Sequence, residues 1–133
     1  DKLFEGGGKA VDGSYFSNHY HVDDPSPAIQ KFVADYRAEF NETPDALAAL
    51  GFEAAAVTLA AFEKAGALDP VKARDVLAAT RAFPGVTGQI TLDAQRNAVK
   101  PAVVIQIKEG KRAFVAQIAP AGTSTSAAVA PTP

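Results

Sequence analysis

The stretch of residues 18–24, NHYHVDD, contains side-chain types that bind metals and move protons. His19 and His21 are two positions apart, so an extended strand would place both imidazoles on one face, where Asp23 could join them. A metal site needs three or four convergent ligands, and the sequence has no third histidine. The pattern therefore favours a strand that ends here and aspartates that cap the next helix. Contact with a ligand at the edge of a cleft stays open as an alternative.

Catalytic chemistry finds little support elsewhere in the sequence. Ser14 and Ser17 lie near the histidines, but neither lies in the GxSxG turn that exposes a hydrolase nucleophile. Asp93, Gln95 and Asn97 have the alternate spacing of a calcium loop, but the central glycine and terminal glutamate are absent, which favours an ordinary turn. The lack of cysteine excludes disulfides, thiolate metal sites and cysteine nucleophiles. We therefore expect no enzyme activity and no cofactor or metal.

Composition narrows the class of protein further. With 133 residues, 47% of them hydrophobic and 21% charged, the chain fits one soluble globular unit with a modest core. The formal net charge of -2 gives no basic excess that would favour nucleic acid or an anionic membrane. No uninterrupted apolar run approaches the roughly 20 residues that a bilayer-spanning helix needs.

The hydrophobic pattern predicts a strand followed by three helices. A strand is expected within residues 11–18, and a helix over about 27–41 begins where Asp24 or Ser26 can act as N-cap. The alanine-rich stretch 45–65 predicts a second helix, with Thr43 as its N-cap. Gly66 is placed to end that helix, and Asp69 caps a third helix over about 70–81.

The hydrophobic period changes in the last third of the chain. Residues 83–93 combine turn residues with the alternation of Ile90 and Leu92. Residues 102–118 predict a β-hairpin whose turn is Glu109–Gly110, because glycine accepts a positive φ angle. The low-complexity segment 121–133 cannot fill a core and is expected to be a disordered tail.

The order of these elements leaves the first strand without a neighbouring partner. Strands and helices that follow one another suggest an α/β fold, yet the strand near residues 11–18 lies far in sequence from the hairpin at 102–118. Either the small sheet closes on itself, or the chain is part of a larger protein that supplies further strands.

Four stretches of the sequence together resemble one family. They are residues 11–66 (VDGSYFSNHYHVDDPSPAIQKFVADYRAEFNETPDALAALGFEAAAVTLAAFEKAG), FPGVTGQITLD at 83–93, KPAVVIQIKEGK at 100–111, and the last short strand that runs into Pro120. In this order they resemble the C-terminal part of the branched-chain amino-acid type of periplasmic binding protein, which serves ABC transporters. The resemblance is collinear over about residues 3–120.

The resemblance implies a fold and an organisation. It implies part of the type I periplasmic-binding-protein fold, an α/β architecture of two three-layer αβα lobes joined by a three-strand hinge. Here that part would be one strand, three helices and a C-terminal hairpin. Residues 1–120 would form the C-terminal portion, with about 19–87 as helices of the first lobe and about 88–120 as the hinge return and hairpin.

The resemblance also implies candidate site residues. The strand that ends near residue 18 passes through the hinge beside the cleft in this family, so Asn18, His19 and Tyr20 are candidates for ligand contact. Leu47 matches a position whose side chain, often aromatic, lines the solute pocket in relatives. A leucine keeps an apolar wall but removes ring stacking. The sequence also departs from the family at two places. Phe52–Glu53 stand where Tyr-Asp is frequent, and residues 93–97 (DAQRN) stand where a glycine turn is common.

The implied function is binding of an amino acid, with a branched-chain side chain favoured, by closure of the two lobes. The implied partners are ABC permease subunits in the inner membrane, and the implied location is the periplasm or a lipid-anchored extracellular position. Two alternatives stay open. One is a ligand-sensing regulatory domain with the same fold, and the other is an interaction module that forms a strand-exchanged homodimer.

Overall fold

The structure is a computed structural model and describes residues 2–121 of the 133-residue chain. The elements in chain order are α1 (Lys2–Gly7), a 3-10 turn (Gly8–Val11), β1 (Tyr15–Asn18), α2 (Pro27–Phe40), α3 (Ala46–Ala65), α4 (Pro70–Ala78), β2 (Phe83–Gly85), β3 (Gly88–Leu92), β4 (Ala98–Val99), β5 (Ala102–Lys108) and β6 (Lys111–Ile118). The predicted tail over 121–133 lies outside the described residues except for Ala121.

A three-stranded antiparallel sheet, in the order β1-β5-β6, gives the first strand its partner. Tyr15 lies opposite Gln106, and Asn18 lies opposite Val103. The predicted hairpin between β5 and β6 is confirmed, and Glu109 and Gly110 both have positive φ angles, of 53° and 71°. That geometry suits the right-handed twist of the two strands. The strands of this sheet pair within the chain, so the alternative of a strand-exchanged homodimer gains no support from the part of the chain described.

The second sheet is also antiparallel and has the order β2-β3-β4. Phe83 pairs with Ile90 and Thr91 pairs with Val99. The alternation around Ile90 predicted only β3, because β2 and β4 are three and two residues long and too short to carry a pattern. Asp93 accepts hydrogen bonds from the backbone N–H groups of Gln95 and Asn97 in the turn after β3, which is the ordinary turn that the sequence predicted.

The N-terminus of α3 differs from the prediction by two residues. Asp45, not Thr43, is the N-cap, and its Oδ1 accepts a hydrogen bond of 2.8 Å from the N–H of Ala48. The Thr43 hydroxyl instead accepts from the Arg37 guanidinium at 3.1–3.2 Å. Pro44 then occupies the position before the cap, where its missing N–H leaves no helical bond unmade. The helix ends at Gly66, as predicted, with a φ angle of 66°.

Helix α4 begins as predicted and ends early. The Asp69 carboxylate accepts from the N–H of Val71 at 2.9 Å and of Lys72 at 3.3 Å. The helix ends at Ala78 rather than near residue 81. The Arg81 guanidinium donates to the carbonyl oxygen of Thr80 (2.7 Å), just after the helix, and to that of Leu92 (2.8 Å), at the end of β3. The chain therefore turns directly into β2.

One cluster of the buried core lies where the exit of β1 meets α2 and the first turn of α3. Its buried residues are Tyr20, Ile29, Phe32, Val33 and Ala49. Ile29, Phe32 and Val33 recur at helical spacing, which places them on one face of α2. The core thus fixes the position of β1's exit relative to α3, and this is the region that contains the predicted site residues.

Helix α3 is more exposed than its composition suggests. Leu47 is 75% exposed, Leu59 is 68% exposed and Phe52 also faces outward, whereas Ala49 and Glu53 are buried. Among the helices of the described region, α3 alone is long and apolar enough, by length and composition, to cross a membrane. The sequence expectation had counted uninterrupted apolar runs and missed this, because Glu53 divides the apolar stretch. Core helices of soluble proteins meet the same criterion.

Candidate functional site

The histidine-rich stretch forms a hydrogen-bonded turn that takes the chain from β1 towards α2. Asn18 Oδ1 accepts from the N–H of His19 at 2.8 Å, and His21 Nδ1 accepts from the N–H of Asp23 at 3.1 Å. Asp24 Oδ1 accepts from the N–H of Ser26, the residue before α2, at 2.9 Å. The turn is therefore the strand exit and helix entry that the residue pattern favoured.

The two histidines do not converge. His19 is exposed, while His21 is buried and its ring lies 6.4 Å from that of Phe114, measured between ring centroids. Within residues 2–121, no group of three or more His, Asp or Glu side chains could hold a metal ion. The residues of this turn therefore offer single polar contacts rather than a metal centre.

Tyr20 is one of three deeply buried side chains of this turn, with His21 and Asp24. It is only 4% exposed, and its ring packs edge-to-face on Phe32 with centroids 6.2 Å apart. Its buried hydroxyl has no hydrogen-bond partner among the described residues. Burial raises the pKa of Tyr20 to about 12, the nearby carboxylates of Asp23 and Asp45 act in the same direction, and Arg37 opposes them. The phenol therefore stays protonated and able to donate at neutral pH.

A cavity of about 410 Å³ opens beside Tyr20, and we term it the β1-exit cavity. It is formed by three segments that are distant in sequence: the exit of β1, the connection into α3, and the β5–β6 hairpin. The lining residues are Asn18, Tyr20, His21, Val22, Asp23, Thr43, Pro44, Asp45, Ala46, Ile105, Lys111 and Arg112. Its volume lies within the range of roughly 300–1,000 Å³ that is typical of small-ligand sites.

The β1-exit cavity combines charges of both signs. Asp23 and Asp45 contribute carboxylates, and Lys111 and Arg112 contribute cationic groups. A small molecule with an ammonium and a carboxylate could pair with both kinds of group, while the Tyr20 phenol supplies a neutral donor. The lining therefore suits a zwitterion better than an apolar ligand.

The structure brings together two of the four predicted site residues. Asn18 and Tyr20 line the β1-exit cavity, whereas His19 and Leu47 do not. Leu47 lies in the first turn of α3, one residue after the lining residue Ala46, and its side chain is exposed rather than part of the lining.

Sequence reasoning missed the contributions of Asp45, Lys111 and Arg112. Asp45 had a detectable signal, since an aspartate after a proline and before an alanine-rich run is a strong N-cap candidate. Lys111 and Arg112 follow the hairpin turn and had no such signal. Their place in the cavity depends on the pairing of β1 with β5, which the local sequence does not encode.

A second cavity, of about 500 Å³, lies along α2 and is mainly aromatic. The rings of Phe32, Tyr36 and Phe40 contact one another in turn along the helix in tilted pairs, with centroids 5.8 Å and 4.6 Å apart, and the Phe52 ring of α3 lies 5.2 Å from that of Phe32. Tyr36 and Phe40 had the spacing of core residues, yet Phe40 is 58% exposed. Lys31, Asp35 and Glu39 also line this groove, but most of its surface is apolar, so it suits apolar contact better than recognition of a charged solute.

Comparison with known proteins identifies the family. A family model described as periplasmic binding protein matches residues 2–112. The crystal structure of a leucine-binding protein from Thermotoga maritima shares 41% sequence identity with the chain, and covers 90% of it with a TM-score of 0.76. The chain belongs to the periplasmic binding protein family. The family predicted from the four collinear stretches is thereby confirmed.

Other solved members of the periplasmic binding protein family extend the comparison. A branched-chain amino-acid transporter substrate-binding protein from Streptococcus pneumoniae, in complex with isoleucine, is 33% identical over 76% of this chain, with a TM-score of 0.67. A solute-binding protein of an ABC transporter from R. palustris, in complex with benzoate, is 26% identical over 90% of the chain, with a TM-score of 0.69.

The fold is part of the type I periplasmic-binding-protein fold, as the sequence predicted. The described part contains four helices and two small sheets, which is more than the expected one strand, three helices and hairpin. The chain spans about a third of the length of the three solved structures, with 34%, 30% and 34% of those chains covered.

Proposed function

We propose that the protein is the solute-binding component of an ABC uptake transporter and that its solute is an amino acid, with a branched-chain side chain favoured. The observation that carries this proposal is the 41% identity to a leucine-binding protein across 90% of the chain. The isoleucine complex of the Streptococcus pneumoniae relative supports the same class of solute. The protein performs no bond chemistry in this proposal. It works by closing around the solute, which stabilises the closed state by its higher affinity for that state.

Two sets of residues would contact the solute in this proposal. Asn18 and Tyr20 would contribute polar contacts from the exit of β1, with His19 at the exposed edge of the same turn. Leu47 would contribute an apolar contact from the first turn of α3. The mixed charges of the β1-exit cavity support recognition of a zwitterion, and the partnerless Tyr20 hydroxyl supports its role as a donor.

The proposal extends to organisation and partners. Residues 19–87 would belong to one lobe and residues 88–120 to the hinge return and hairpin. The exposed leucines of α3 support packing of this helix against further polypeptide of the same protein. The expected partners are permease subunits in the membrane, and the expected location is the periplasm or a lipid-anchored extracellular position.

A chimera with the Thermotoga maritima relative tests the proposal. Residues 2–112 would replace the matching segment of that protein, and isothermal titration calorimetry would measure leucine, isoleucine, valine, benzoate and glutamate. We expect saturable binding of the branched-chain amino acids, weakened at least tenfold by Leu47→Asp. His19→Ala is the control, and we expect a smaller change because this side chain is exposed.

Two results would contradict the proposal. A folded chimera that binds benzoate but no amino acid would show that the solute is an aromatic carboxylate, as in the R. palustris complex. A folded chimera that binds leucine equally well with Leu47→Asp would remove Leu47 from the site.

The 133-residue chain alone is expected to bind leucine weakly or not at all, because it spans about a third of the length of its relatives.

A further inference from the structure

A buried carboxylate outside the β1-exit cavity connects α3 to both sheets. Glu53, near the middle of α3, is only 3% exposed. Its Oε1 accepts from the N–H of Thr87 at 2.6 Å and from the Thr87 hydroxyl at 2.9 Å. Its Oε2 accepts from Lys100 Nζ at 2.5 Å, and the side chains of this ion pair are both nearly inaccessible to solvent.

The partners of Glu53 come from two different parts of the fold. Thr87 lies in the turn between β2 and β3, so its bonds tie α3 to the second sheet. Lys100 lies in the short link from β4 to β5, so the ion pair ties α3 to the point where the chain enters the β1-β5-β6 sheet. Gln117 of β6 extends the cluster by donating to the Thr87 carbonyl at 3.4 Å.

The link from β4 to β5, which contains Lys100 and Pro101, also packs closely against Gly88 at the start of β3. A Cβ at Gly88 would lie 2.9 Å from Cγ of Pro101, the residue after Lys100. The entry to β5 is therefore packed against the β2–β3 turn while Lys100 is paired with α3. A buried charge must keep its partner, because the low-dielectric interior penalises an unpaired ion heavily.

We propose that the Glu53–Lys100 ion pair is a positioning element that sets the orientation of α3 relative to the β1-β5-β6 sheet. Helix α3 carries Leu47 and the sheet carries Asn18, so the pair controls the separation of two proposed solute contacts. The consequence for solute binding rests on the proposed function, whereas the positioning itself does not.

A distance measurement between the two elements tests the positioning directly. The chain has no cysteine, so Leu59→Cys on α3 and Lys108→Cys on β5 give two unique spin-label sites, both exposed in the structure. Double electron–electron resonance would report the distribution of distances between them. We expect a single narrow distance in the parent chain and its loss, by broadening or a second population, in Glu53→Gln with Lys100→Met.

That double substitution separates positioning from stability. The carbonyl oxygen of the new glutamine side chain would still accept the hydrogen bonds from Thr87, and no unpaired charge would stay buried, so the variant should fold. If the ion pair only stabilised the fold, the narrow distance would survive in the folded double variant. The same substitution in the chimera should weaken leucine binding at least threefold without changing which amino acid is preferred.

Two further variants make the outcome decisive. Glu53→Asp keeps the charge but withdraws the carboxylate by one methylene, and we expect a shifted or broadened distance. Asp75→Asn removes the exposed ion pair with Arg74 and should leave the distance unchanged. A narrow, unshifted distance in the double variant, or in Glu53→Asp if the double variant does not fold, would overturn the proposal. A changed distance with unchanged leucine binding would keep the positioning and refute its role at the solute site.

Discussion

A Cβ atom at Gly85 would lie 2.6 Å from Oε1 of Glu53. It would also lie 2.8 Å from the carbonyl oxygen of Gly88 and 2.8 Å from Cδ1 of Ile90. Real Cβ atoms do not approach other atoms this closely, so the backbone at Gly85 and the Glu53 carboxylate share a space that admits no side chain. The glycine is required here by the close approach of a helix to a strand, not by an unusual φ angle.

This close approach gives the first prediction. Gly85→Ala is expected to lower the free energy of unfolding by about 1–3 kcal/mol, the usual cost of overpacking, because the methyl group must displace Glu53 or Ile90. Gly51→Ala is the matched control, since a Cβ at Gly51 in α3 would meet nothing within 4 Å. It should stabilise the chain by about 0.5–1 kcal/mol through higher helix propensity. Urea denaturation followed by circular dichroism measures both, and equal effects of the two substitutions would contradict the packing argument.

The second prediction concerns the cost of leaving a buried charge without its partner. Glu53→Gln alone leaves Lys100 charged and buried, and should reduce the free energy of unfolding by about 3–5 kcal/mol. Lys100→Met alone should cost a similar amount, whereas the double variant should cost less than either. The exposed pair of Arg74 and Asp75 is the control, and Asp75→Asn should change stability by about 1 kcal/mol or less. Additive costs in the double-mutant cycle would show that Glu53 and Lys100 do not interact.

The third prediction concerns the buried phenol of Tyr20. Tyr20→Phe should not destabilise the chain at neutral pH, because it removes a hydroxyl with no partner among the described residues. The same substitution in the chimera should weaken amino-acid binding if the hydroxyl donates to the solute. Phe32→Ala, which removes a buried ring of the core, is the contrasting variant and should cost about 3–5 kcal/mol.

The pH dependence of stability provides the fourth prediction. The folded pKa of Tyr20 is raised from 10.0 to about 12, so between these values the unfolded chain loses the Tyr20 proton and the folded chain keeps it. The stability from this group is therefore fully present below pH 10 and is lost as pH rises towards 12, by up to about 1.4 kcal/mol per pH unit. Tyrosinate absorbance during an alkaline titration should show a late step that Tyr20→Phe removes. A Tyr20→Phe variant that loses absorbance from the ordinary step near pH 10 and keeps the late step would contradict the burial of the phenol.

The fifth prediction distinguishes the observed cap of α3 from the one that the sequence suggested. Asp45→Ala should reduce the free energy of unfolding by about 0.5–2 kcal/mol, because the N–H of Ala48 loses its acceptor. Thr43→Ala should change it by about 0.5 kcal/mol or less, since its hydroxyl serves only an exposed bond with Arg37. A larger effect at Thr43 than at Asp45 would restore the original assignment.

Local signals predicted the elements that local interactions form. Asp69, Gly66 and the Glu109–Gly110 turn were all placed correctly, because a cap or a tight turn depends on the residues immediately around it. The buried face of α2 likewise follows from local spacing, because Ile29, Phe32 and Val33 recur at the helical period. The shift of the α3 cap to Asp45 shows that local signals place an element's end only to within about two residues.

Long-range pairing was not predictable from the residues. The pairing of β1 with β5 places Tyr15 opposite Gln106, and neither segment carries a sequence pattern that identifies the other as its partner. The Glu53–Lys100 pair joins residues 47 positions apart, and the sequence marked Glu53 only as a departure from its family. The β1-exit cavity depends on the pairing of β1 with β5, which is why the sequence identified Asn18 and Tyr20 but not Arg112. The exposure of Phe40 was not predictable either, because helical spacing shows which residues share a face of α2 but not which other elements pack on that face.

Glu53 has a consequence for the chain before it folds. Helix α3 is long and apolar enough, by length and composition, to cross a membrane, yet it carries this carboxylate near its midpoint. A carboxylate at the centre of an inserting helix costs about 2.5–3.5 kcal/mol on insertion scales. The proposed function requires export across a membrane, and the same side chain that later pairs with Lys100 would then oppose retention of this segment in the bilayer as an anchor.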